Sequence, residues 1–197
     1  RDGQMVGTIS FGRDVTAQRE AEAALHQRMA ELSALFSLTS TLREARTLEE
    51  MLPIILRSTC QVMQCDQGVL SLVDHEHGQV VVRAVTPALE SLLGRRTKIG
   101  EEISGRVAQT GRPMLPADFA NLQAPEVVRH LVGEPSTVIC YPLKTGAEVI
   151  GALHLSAPLP RAFSESALNL LAAIADMAAS AIHRAGLFEQ LEHRVRE

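Results

Sequence analysis

The chain has 197 residues, 46% of them hydrophobic and 21% charged, which excludes disordered, collagen-like and low-complexity classes and leaves one domain of about 150 residues plus extra length. A net charge of −4 with one Tyr, five Phe and no Trp supplies neither a phosphate-tracking surface nor stacking rings, so no nucleic-acid partner is expected. Three cysteines make no disulfide framework, no apolar leader opens the sequence, and the apolar stretch 168–182 is interrupted by Asn169 and Asp176. A cytoplasmic setting without direct membrane insertion is expected, and the start at Arg1 reads as a cut from a longer protein.

In chain order, residues 4–11 place Met5, Gly7, Ile9 and Phe11 on one side of a predicted strand. A lone strand buries little, so it belongs to a sheet whose other strands precede it. A helix follows from Val15 to about Arg43, in which Leu25, Met29, Leu32 and Phe36 recur at coiled-coil spacing. Thr47 is an expected N-cap for a helix bearing Met51, Leu52, Ile55 and Leu56, with Pro53 tolerable in an early turn. Residues 69–73 and 79–85 flank the turn 74–78 as a hairpin. Residues 101–110 suit a short helix stopped by Gly111, and Met114-Leu115 a brief strand. The span 118–135 reads as a long connection with a short helix near 127–131. Strands 137–143 and 148–156 follow, joined by the turn 144–147.

From Ser164 helical periodicity continues to the last residue, with Leu170, Ile174, Met177, Ala181, Phe188 and Leu191 on one seam. Strands and helices in blocks give an α+β fold with an antiparallel sheet. One long helix entering and another leaving point to a rod that pairs in parallel with a second copy, a homodimer.

Three stretches carry a family resemblance: Ile99-Gly-Glu-Glu-Ile-Ser-Gly-Arg-Val-Ala-Gln-Thr-Gly-Arg-Pro with Asp118 beyond, Cys140-Tyr-Pro-Leu before Val149-Ile-Gly-Ala-Leu-His-Leu, and Phe163-Ser-Glu-Ser-Ala-Leu-Asn-Leu-Leu. In this order they resemble a GAF domain, here spanning 47–186. Residues 1–16, with a last strand and Arg13-Asp14-Val15-Thr16, resemble the end of a PAS domain. Residues 17–46 and 187–197 then read as signalling helices. The resemblance implies a six-stranded antiparallel sheet with dimerising helices on one face and a ligand pocket on the other. It also implies a non-enzymatic regulatory module relaying a signal to an output domain of the same protein, a histidine kinase before other outputs. A cyclic-di-GMP cyclase or phosphodiesterase is the alternative output, and a ligand-free dimerising spacer the alternative role.

The pocket so implied is walled by 69–73, 101–118, 118–135 and 138–141, with Asp118, Asn121, His130, Tyr141 and Cys140 as candidate ligand-binding residues. No cofactor is named by the sequence. The Asn-Lys-x-Phe-x-x-x-Asp-Glu motif of nucleotide-binding relatives is absent, since Pro160-Arg161 and Ala167-Leu168 stand at its ends. No Cys precedes a His for bilin attachment, and Cys60, Cys65 and Cys140 read as small buried hydrophobes. His130 falls where haem-binding relatives place an axial ligand, although a single loop His is more often solvated. Cys60 and Cys65 lack zinc spacing, and His75 and His77 lack a third ligand. Free methionine sulfoxide reductases resemble this fold too, but Ser104 stands where they place a Cys, which removes the thiolate their chemistry requires. His183 and His193 lack the residues that follow a phospho-accepting His, so a kinase output would lie beyond Glu197.

Overall fold

The computed structural model describes residues 47–115, 136–158 and 163–196. The expected strand at 4–11, the PAS-like exit, the helical seam at Leu25, Met29, Leu32 and Phe36, and the connection carrying Asp118, Asn121 and His130 lie outside the described residues.

Helix α1 (Leu48–Met63) opens at Thr47, whose Oγ1 accepts from the Glu50 amide at 3.2 Å. Pro53 lies inside it in the second turn, where its missing N–H removes the i→i−4 bond to the Glu49 carbonyl. Met51, Leu52, Ile55 and Leu56 recur on one face and are buried, each worth roughly 1.5–3 kcal/mol in apolar transfer. The hairpin of β1 (Gln67–Asp74) and β2 (Gln79–Val85) follows, then a 3-10 turn at Pro87–Leu92 and β3 (Arg96–Lys98). Helix α2 (Glu102–Thr110) ends on Gly111, whose φ of 61° favours glycine. Strands β4 (Ser136–Thr145) and β5 (Glu148–Pro158) precede α3 (Glu165–Arg196), capped by Ser164 Oγ accepting from the Ala167 amide.

The strands form one antiparallel sheet in the order β3-β2-β1-β5-β4. The sheet therefore has five strands among the described residues, not six. Met114 makes only a two-bond bridge with Cys140, at 2.9 and 3.0 Å, because Pro113 and Pro116 bracket a segment of two residues.

Side-chain alternation divides the sheet into two faces. On one, Leu70, Ile139, Leu143, Leu153 and Leu155 pack with α1 and α3 into the main core. On the other, Cys140 and Ala152 pack with Ile103 and Val107 of α2. A Cβ at Gly105 would run into the Lys98 carbonyl oxygen, so glycine lets α2 settle directly against β3.

Helix α3 does not present one continuous seam. Ile174 and Ala181 are 1% and 5% exposed, because the small-residue face Ala175-Ala178-Ala179 lets the helix sit close on the sheet and draws its neighbours inward. Leu170 also packs against the core. These positions are used within the chain, which corrects their assignment to a partner-facing seam. The exposed large apolar residues of α3 lie farther on: Leu187, Phe188 and Leu191. Glu189 turns back, its carboxylate accepting from the Leu48 amide at 2.8 Å, and so ties the late part of α3 to the start of α1. Residues 165–189 have the length and, over an 18-residue window, the mean hydropathy, 1.3, of a membrane span, but Leu171, Ala175, Ala178 and Ala179 within it are buried in the domain core.

Candidate functional site

Between the α2 face of the sheet, α2 and the 3-10 turn lies a half-open cavity of about 80 Å³, room for about three waters. Its apolar wall includes Val69, Val82, Leu89, Ile103 and Val138. Polar groups gather where β1 and β5 meet: Gln67 is registered opposite Ser156, and His154 lies two residues away on the same face of β5.

His154 is the centre of this polar corner. Its Nε2 lies 2.8 Å from Ser104 Oγ and 3.1 Å from Cys140 Sγ. When Nε2 is unprotonated, the hydroxyl or the thiol donates to it; in the other tautomer Nε2–H donates to one of them. Burial pushes the imidazole down to about 4, so the ring is neutral at pH 7. Burial also pushes the Cys140 thiol well above its ordinary value. An imidazolium–thiolate pair needs both shifts in the opposite sense, so burial favours the neutral imidazole and the thiol here. Cys60, raised to about 11 by burial and secondarily by Asp66, is likewise a thiol.

The cavity rim carries one ion pair. Arg95 Nη2 meets Glu102 Oε1 at 2.7 Å, and Thr97 Oγ1 donates to Oε2 at 3.3 Å. Glu102 adopts φ 49°, a left-handed conformation costing about 1–2 kcal/mol for a non-glycine residue. The pair to Arg95, the Thr97 bond and the positive end of α2 offset that cost.

Two expected site residues lie in the described part. Cys140 is fully buried against Ile103, Val107 and Ala152 and reaches the cavity only through His154. Tyr141, one residue on, necessarily takes the opposite face and packs against the helix-side core. There burial, and then the charge of Asp176, raise its phenol. It is thus corrected from a pocket residue to a core residue. Sequence reading missed His154 as a site residue and assigned Ser104 no site role. The available signal was the β5 alternation Ala152, His154, Ser156 against Leu153, Leu155, Ala157, which places a lone imidazole on the sheet face opposite the leucines.

Among the described residues, a five-stranded antiparallel sheet with α1 and α3 on one face and α2 and a small cavity on the other defines a two-layered class of α+β domain. The GAF domain family model matches residues 45–183, and the chain belongs to that family. It is 34% identical over 142 residues to the anaerobic nitric oxide reductase transcription regulator NorR of Salmonella arizonae, a match covering 67% of this chain and 26% of that protein. The chain therefore spans about a quarter of that relative's length. Among solved structures it is similar to the GAF domain of a phosphoenolpyruvate-protein phosphotransferase from Coxiella burnetii, with TM-score 0.71 and 24% identity, covering 82% of this chain and 98% of that one. It is also similar to the free methionine-R-sulfoxide reductase of Neisseria meningitidis, with TM-score 0.63 and 15% identity over 80% and 90%. At those identities the likeness is one of fold.

Proposed function

We propose that this chain is the regulatory sensory module of a larger cytoplasmic signalling protein: it binds a small molecule in the His154 cavity and relays occupancy through α3 to an output domain. One observation carries this reading. β5 directs His154 into the cavity while its neighbours Leu153 and Leu155 pack in the core shared with α1 and α3, so a ligand that shifts this strand works directly on the helix leaving the domain. A ligand does so only by binding one helical arrangement better than another.

The module works as a parallel homodimer, with the exposed Leu187, Phe188 and Leu191 as the contact between copies. The preceding residues 1–16 are the end of a PAS domain, and the output is a histidine kinase. Likeness to NorR favours a second output, a transcription regulator. The test uses the full-length protein with Val138→Phe, which fills the cavity. Output locked in one state supports the relay; output that responds as in the natural protein reduces the domain to a dimerising spacer.

A further inference from the structure

Among the described residues the cavity wall is electrically balanced. Arg95 and Glu102 are its oppositely charged side chains, and they neutralise each other at 2.7 Å. His154 shares its Nε2 with Ser104 and Cys140, with no acid among its recorded partners. A carboxylate or ammonium group entering here would shed part of its water and meet no uncommitted opposite charge among the described residues, and an isolated ion in a poorly hydrated site is costly. The rest of the wall, Val69, Val82, Leu89, Ile103 and Val138, favours hydrocarbon. At one end Gln67, Ser104, His154 and Ser156 bring polar groups together, and the Gln67 carbonyl oxygen is buried without a hydrogen-bond partner. A hydroxyl, which both donates and accepts, suits that end whichever way the Gln67 amide is turned.

We propose that the cavity selects a small uncharged ligand, largely apolar with a hydroxyl at one end, and rejects carboxylates and ammonium ions of the same size. This rests on the ligand-binding reading above and names its ligand class. The Arg95–Glu102 pair is the specificity device: it holds the wall neutral, and Glu102 keeps Arg95 from recruiting anions.

The test is a protein NMR titration with four matched probes: 1-butanol, methyl propyl ether, butyrate and n-butylammonium. The inference predicts shifts at Val69, Val82, Ile103 and Val138 with 1-butanol. It predicts affinity at least tenfold weaker for the two ions and about threefold weaker for the ether. Val138→Phe abolishes the shifts, which locates the binding. Glu102→Gln, which keeps the hydrogen-bonding shape but frees Arg95, strengthens butyrate at least tenfold relative to 1-butanol. Butyrate or n-butylammonium binding the natural protein within threefold of 1-butanol overturns the neutral class while the ligand-binding reading stands. An ether as tight as the alcohol overturns the hydroxyl assignment. No probe moving the cavity resonances overturns both the inference and the ligand-binding reading, and butyrate affinity unchanged relative to 1-butanol in Glu102→Gln overturns the role of the pair.

Discussion

The two faces of the sheet are built from alternate residues of the same strands, yet they do different work. Leu153 and Leu155 are fully buried beneath the helices, among close-packed leucine, isoleucine and alanine. One position away, His154 lines a cavity and shares its ring nitrogen with a hydroxyl and a thiol. The helix face supplies the stability that lets the other face remain hollow and partly polar, and a rigid strand between them couples the two.

The largest effect is expected from breaking the helix face. Ile174→Glu buries a carboxylate in the core and should cost about 4 kcal/mol or more, enough to leave the protein largely unfolded in a denaturant titration. A milder loss would mean that α3 can turn outward, as a partner-facing seam at Ile174 requires.

The cavity face is expected to answer to acid. His154 falls from 6.5 to about 4 on folding, so between those values the unfolded chain binds more protons. Stability is then fully present above pH 6.5 and declines toward pH 4, by on the order of 3 kcal/mol. His154→Gln removes this slope. Asp74, held low mainly by its hydrogen bond to His77, acts at lower pH: its contribution is present above 3.8 and fades as pH falls through its folded value. Equal slopes for the natural protein and His154→Gln between pH 6.5 and 4 would mean that the imidazole is better solvated than the site implies.

How much of this was legible differs by element. The hairpin, α1 with its Thr47 cap, α2 with its Gly111 stop and the β4–β5 pair all carry local signals: alternation, caps and turn residues. β3 is Arg-Thr-Lys, three polar residues whose extended form comes from pairing with β2 rather than from their own pattern. The α3 periodicity was visible, but the same repeat fits a seam between copies and a face on a sheet, and only packing decides between them. The His154 cluster was invisible for a related reason. Ser104 lies 50 residues and Cys140 14 residues from it in sequence; the β4–β5 register brings Cys140 opposite His154 and the seating of α2 on the sheet brings Ser104, with no motif linking them.

A third substitution sharpens how the cavity is held. Gly105→Ala forces α2 away from the Lys98 carbonyl and should cost about 1–3 kcal/mol by overpacking, with a loss of 1-butanol binding larger than the change in thermal midpoint suggests. Unaltered binding would show that α2 does not define the cavity roof. The smallest effect on stability is expected at the far end of α3. Phe188→Glu with Leu191→Glu touches exposed side chains and should change monomer stability by under about 0.5 kcal/mol, while converting a dimer to a monomer by sedimentation. An unchanged dimer would remove these residues from the contact.

The coupling of the two faces is tested most directly by hydrogen exchange of the α3 amides, Leu171 to Ile182, with the cavity empty and with it saturated by 1-butanol. The relay predicts that exchange along this stretch changes on saturation, although the α3 side chains here lie on the opposite face of the sheet. Exchange altered only in α2 and the strands lining the cavity, with α3 unmoved, would contradict it.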